Sequence, residues 1–246
     1  MKRNILPVLS LAILLGIVLF SCTKKKDDSY RENPSKGYFP LSFGKYVVYD
    51  VDSILWDDFQ CVKSLHRYQM RHTIVDTFRD DSNRLTYRVD VMIRKQDSLP
   101  WENHRVIFVT PTDTRLELVE SNLRYIKLVF PISDNVTWQG NSMIPALDQD
   151  YRYLQGWTYQ YSNYTEPFND GFTYFENTVT VSHVDEQQND PETMPNSYAY
   201  KTYSQEVYAF NVGMVYREMT HWVYDPSVGT LCRKGYSVVM RAVDHN

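Results

Sequence analysis

Six histidines, three cysteines and a few paired carboxylates are the residues of this 246-residue chain that could do chemistry. Their spacing supports little of it. Zinc hydrolysis wants two histidines one helical turn apart, a nucleophile elbow wants a serine set between glycines, and nucleotide binding wants a glycine-rich turn. None of these patterns occurs. His66 and His72 share the face of a strand-like segment, but at strand rise they stand about 20 Å apart and cannot bind one metal. His72 lies among apolar residues and reads as a core histidine. His183 and Asp185 alternate onto one face, as two ligands could, yet with no third ligand in view a local hydrogen bond explains them better. Asp57-Asp58, Asp80-Asp81 and Asp148/Asp150 sit in turn-forming contexts, where Asp is favoured for backbone reasons rather than for acid–base work. No catalytic residue, metal site or cofactor is expected, and the chain is not expected to be an enzyme.

One dense constellation is aromatic. Tyr151, Tyr153, Trp157, Tyr159, Tyr161 and Tyr164 lead into Phe168, Phe172, Tyr174 and Phe175, ten rings within 25 residues. Trp157, Tyr159 and Tyr161 would share one face of an extended segment. Rings with an apolar face and a polar tip suit sugar stacking, peptide capture or protein contact. Tyr151, Tyr153, Trp157, Tyr159 and Tyr161 are therefore a candidate binding surface for a glycan, an apolar ligand or a protein partner. A core layer beneath a loop would have the same pattern, and both readings stand on sequence alone.

The N-terminus sets the compartment. Lys2 and Arg3 precede an apolar stretch, Ile5–Phe20, that is short for a membrane span of about 20 residues. It ends in Leu19-Phe20-Ser21-Cys22, which resembles the lipobox of bacterial lipoproteins. The resemblance implies a signal peptide over residues 1–21 and a Cys22 bearing a diacylglycerol thioether and a further, palmitoyl-type chain. At about 0.8 kcal/mol per buried methylene, two or three chains anchor a protein to a membrane stably. An ordinary cleaved signal or an uncleaved N-terminal helix is the plainer alternative. Residues 22–37 are polar and turn-forming, a flexible tether. Its Lys26-Asp27-Asp28 run resembles the export signal that carries some Bacteroidota lipoproteins to the outer face of the outer membrane. A solvated linker would look the same, so periplasmic and surface-exposed placements both remain. Without Lys2 and Arg3 the 26 basic residues fall to 24 against 30 acidic, a charge of about −6, which offers no footing for nucleic acid.

The elements that must position these residues are strands. In 84–95, Leu85, Tyr87, Val89, Val91 and Ile93 fall on one face, and polar residues on the other. Leu65–Phe78 behaves likewise. Further strands are expected at Lys45–Ile54, Arg105–Thr110, Leu116–Glu120, Tyr125–Phe130, Tyr174–His183, Tyr198–Phe210, Met214–Tyr224 and Tyr236–Val243, with turn signals between many of them. Thr114–Phe130 could also form one helix, but two strands are preferred. About ten strands cannot lie flat in one layer. The expected fold is all-β: residues 38–246 as a single antiparallel, strongly curved sheet or incomplete barrel, following the signal peptide and tether. Cys61 and Cys232 precede the second and last strands. They form either a disulfide or two inert thiols; paired, they would close a loop of about 170 residues, contribute roughly 5 kcal/mol at best and hold the ends of the sheet together.

Four blocks resemble a family of Bacteroidota outer-membrane and cell-surface lipoproteins. They are the opening from Gly37 to Ile54, Tyr125–Pro131 with Trp138-Gln139-Gly140-Asn141, Tyr208–Glu218, and the terminal Gly235–Asn246. The resemblance brings no activity and no site residues with it. It is consistent with a non-enzymatic binding or scaffold protein held at the outer membrane, with a carrier sheltering a lipid or other apolar ligand in its curved sheet as the alternative.

Overall fold

Alternation of apolar and polar residues resolves into twelve antiparallel strands in one sheet. The computed structural model describes residues 34–145, 149–228 and 232–246; the signal segment, Cys22, the charged run after it and Asp148 lie outside them. The strands are β1 (Tyr46–Asp57), β2 (Val62–Arg79), β3 (Leu85–Arg94), β4 (Glu102–Pro111), β5 (Arg115–Glu120), β6 (Leu123–Val129), β7 (Thr137–Gln139), β8 (Thr158–Asn169), β9 (Tyr174–Gln188), β10 (Ala199–Ala209), β11 (Gly213–Tyr224) and β12 (Arg233–His245). Ten of them match the expected segments. The two additions are β7, too short to show a period, and β8, which runs through the aromatic segment. Thr114–Phe130 is indeed two strands, because Ser121 and Asn122 both take positive φ (51° and 64°) and turn the chain back on itself.

The spatial order is β6-β5-β4-β3-β2-β1-β12-β11-β10-β9-β8-β7. The first and last strands pair in the middle, over the long register from Val47↔His245 to Trp56↔Gly235. The two edges are β6 and β7, neighbours in sequence, so the sheet curls into a nearly closed barrel with one seam.

One backbone bond and several side chains bridge that seam where a ladder would otherwise run. The Ile126 amide donates to the Gly140 carbonyl at 2.8 Å, and the Trp138 indole N–H to the Ile126 carbonyl at 2.8 Å. The Tyr161 hydroxyl accepts from the Val129 amide at 2.8 Å and donates to its carbonyl at 2.9 Å. Asn141 links Leu154 O and the Tyr159 hydroxyl, and a side chain at Gly140 would run into the Tyr159 ring. The Trp-x-Gly-Asn block therefore builds the seam.

One boundary, and what the cysteine pair holds together, differ from expectation. The domain begins before Tyr38: Pro34–Tyr38 form a 3-10 turn, Ser35 is buried and accepts from the Ile132 amide, and Gly37 packs against the Phe210 ring. Cys61 and Cys232 are bonded, with Cα atoms 5.4 Å apart. Because β1 and β12 are neighbours, the bond clips adjacent strands and does not hold the sheet's edges together. Asp57 and Asp80 cap their turns, accepting from Phe59 and Gln60 and from Ser82 and Arg84 respectively.

Candidate functional site

The barrel's interior is charged at its centre. Lys127 on β6 reaches across the lumen to Glu206 on β10, Nζ to Oε1 at 2.6 Å, with both side chains buried. Tyr208 donates to the other oxygen of Glu206 at 2.6 Å. Arg105 on β4 holds Glu120 on β5 at 2.7 Å. Arg217 on β11 lies between the acids, 3.7 Å from Glu120 Oε2 and 3.7 Å from Glu206 Oε1. His183 on β9 faces Glu206 Oε2 from Nε2 at 3.7 Å and bonds Ser204 Oγ through Nδ1 at 2.8 Å.

Two of these groups sit at bulges. Leu116 pairs with Leu128 and Glu117 with Ile126, which leaves Lys127 as the unpaired extra residue. Ser204 pairs with Val184 and Gln205 with Ser182, which leaves His183 likewise. An extra residue twists its strand locally and shifts the alternation that follows it. Period-two reading cannot see this: it places His183 with Asp185, whereas the structure buries His183 and leaves Asp185 exposed.

The ion network divides two cavities. Below it, about 80 Å³ is enclosed by Val47, Ile74, Val89, Ile107 and Val109, under Phe39 and Pro40. Above it lies about 250 Å³, larger than the ~150 Å³ that holds a benzene. Its walls are Tyr125, Trp157, Tyr159, Met219 and Met240, its floor Glu120, Lys127, His183 and Arg217, and its outer end Tyr68, Tyr153, Tyr236 and the exposed turn residue Ser121. Apolar walls with a few convergent polar groups describe a small-molecule site.

The aromatic segment does not form an outward platform. Trp157, Tyr159 and Tyr161 are buried, since the inner face of β8 points into the lumen. Tyr161 serves the seam. Tyr159 stacks on His183 at 3.9 Å, and Trp157 donates to Tyr153 O at 2.8 Å. Tyr153 stacks on His221 at 3.9 Å and hydrogen-bonds the Tyr236 hydroxyl at 2.9 Å, while Tyr151 packs against the core. The surface expected of these five residues is thus replaced by a core layer, three of whose rings (Tyr153, Trp157 and Tyr159) line the upper cavity. Glu120, Lys127, Glu206 and Arg217 carry no sequence motif and read as ordinary polar strand residues.

Burial raises the Glu206 carboxyl, but Lys127, His183 and Arg217 outweigh it and hold the group well below the usual range. Burial pulls Arg217 down, and Glu120 and Glu206 more than offset it, so its charge is secure. Burial lowers His183 to about 3 and His72, above the lower cavity, to about 4, so both rings are neutral at pH 7. Among the described residues, no group of three or more His, Cys, Asp or Glu is placed to hold a metal.

No family model and no curated protein matches the chain. Among solved structures, it is similar to a Bacteroides fragilis protein described as having a YmcC-like fold, at 13% identity and a TM-score of 0.36, over 84% of this chain and 98% of that one.

Proposed function

We propose that this chain is a non-enzymatic binding protein of the cell envelope, which holds a small molecule in its barrel lumen and is tied to the outer membrane through Cys22. The 250 Å³ cavity, aromatic-walled and floored by fixed charges, carries this reading. The titration behaviour supports binding over catalysis. General acid–base work at neutral pH wants a group poised near 7, whereas His183 and His72 sit near 3 and 4 and Glu206 is held ionised. A cavity of this volume suits a compact molecule better than an extended acyl chain, so the lumen favours a small-ligand carrier over a lipid carrier.

The test is mass spectrometry of an organic extract of the full-length protein, purified from its own membranes, beside Met219→Trp, which fills the upper cavity. A small molecule recovered near stoichiometry from the wild type and lost from the folded variant supports the proposal. An empty wild type that also fails to bind aromatic probes overturns it.

A further inference from the structure

The free hydrogen-bonding capacity of the floor has a sign. Lys127 is committed to Glu206 at 2.6 Å and the Nη2 of Arg105 to Glu120 at 2.7 Å. The Arg217 guanidinium makes no hydrogen bond to any described residue, its two acidic neighbours standing at 3.7 Å, and 28% of its side-chain surface is accessible where it borders both cavities. His183 is 2% exposed, and its buried Nε2 has no hydrogen-bond partner. The Glu206 carboxylate opposite favours the tautomer with the proton on Nε2 and the Ser204 hydroxyl donating to Nδ1. Arg217 approaches one oxygen of Glu206 and His183 the other, so both free donors border the same part of the floor. The Nε of Arg105 is a third buried donor without a partner. Three cations, Lys127, Arg105 and Arg217, face two carboxylates, Glu120 and Glu206, leaving one positive charge in the lumen.

Resting on the lumen being a ligand site, we propose that it takes a small organic monoanion: a carboxylate that pairs with Arg217 and accepts from His183 Nε2, borne on a flat ring that lies against Tyr159, Tyr125 and Trp157. A planar guanidinium takes a carboxylate through two parallel N–H bonds. The aromatic and methionine walls above it accept a ring edge or face. An isolated phosphate would leave those walls uncovered, and a neutral ring would leave the donors of Arg217 without a hydrogen-bond acceptor.

Titration calorimetry of the full-length protein in detergent tests this with three acid–amide pairs: benzoate and benzamide, cinnamate and cinnamamide, 2-naphthoate and 2-naphthamide. For at least one pair the acid should bind about tenfold or more tighter than its amide, a difference of about 1.4 kcal/mol. Arg217→Lys, which keeps the charge but loses the planar fork, should weaken that acid about tenfold and leave the amide unchanged. Amides that bind as well as acids overturn the monoanion proposal while leaving the lumen a ligand site. Inorganic phosphate binding better than any acid overturns it too. If neither acids nor amides bind, and the extract of the purified protein is empty, the lumen reading itself falls. Should Arg217→Lys fail to fold, the acid–amide comparison on the wild type decides alone.

Discussion

At the scale of single residues, a buried charge is stable only with its partner. Glu206 is 1% exposed and Lys127 7%. Lys127→Met removes the nearest cation and leaves the acid with the Tyr208 hydroxyl and with Arg217 at 3.7 Å. Such a change typically costs about 3–5 kcal/mol, whereas removing both charges together costs far less. Denaturant unfolding should therefore show Lys127→Met strongly destabilised and Lys127→Met/Glu206→Gln largely recovered; equal losses would place Glu206 elsewhere. The same network sets an acid response. His72 and His183 titrate near 6.5 when unfolded but are lowered by burial to about 4 and about 3 when folded, against the opposing pull of Glu120 and Glu206. The unfolded chain thus binds more protons below 6.5, and stability falls as pH drops from there toward 4 and 3, by on the order of 1 kcal/mol per pH unit for each histidine. Glu206 and Glu120, both held below their usual range, add to the loss below about 4.5, their unfolded pKa. Melting temperature should decline between pH 7 and 5, and His72→Gln/His183→Gln should flatten that decline; a flat wild-type profile would refute it. Little of this was legible beforehand. His72 was readable as a core residue from its apolar neighbours; Lys127 and His183 continue the inward alternation of Leu123 and Tyr125 and of Val179 and Val181, but nothing in the sequence brings either of them to Glu206 across the lumen.

At the scale of elements, the barrel is weakest where a ladder is missing. Neither edge strand pairs with the other along its length, so the seam rests on Trp138, Tyr161 and the Ile126–Gly140 backbone bond. Tyr161→Phe removes the hydroxyl and strands both polar groups of Val129, at a cost of about 1–3 kcal/mol. Amide exchange at Val129 and Ile126 should quicken, while the β1–β12 ladder keeps its protection. Uniform acceleration would mean the seam is not a separate unit. The disulfide acts at the other side of the sheet. Its 171-residue separation constrains the unfolded chain more than any local contact, so Cys61→Ser/Cys232→Ser should lose about 2–5 kcal/mol without changing the fold. Long alternating strands such as β3 and β2 were plain in the sequence because each has a core face and a solvent face. β7, with three residues, has no period. β8 was masked because its rings fit an outer platform as well as an inner wall, and only the curl of the sheet decides between them.

At the scale of the whole molecule, the proposed hold on a membrane has to be located. No helix among the described residues is long and apolar enough to cross one. Strands could cross, but the outer wall carries paired charges such as Arg67–Asp52 and Arg88–Asp90, which a lipid-facing band would not tolerate cheaply. The chain without Lys2 and Arg3 has 24 basic against 30 acidic side chains, and the Lys24-Lys25-Lys26 run after Cys22 is followed at once by Asp27-Asp28, so charge adds little to the hold of an anchor on an anionic leaflet. On the proposed reading the attachment is Cys22, outside the described residues, whose acyl chains would supply the binding energy at about 0.8 kcal/mol per methylene. Replacing residues 1–21 with a non-lipoprotein secretion signal, together with Cys22→Ser, should move the protein almost wholly into the soluble fraction with its fold intact. The wild type should stay with the membranes through a high-salt wash, because salt screens charge and leaves hydrocarbon burial untouched. If the variant stays as well, the domain has a membrane or protein contact of its own, and the outer wall of the barrel becomes the place to look for it.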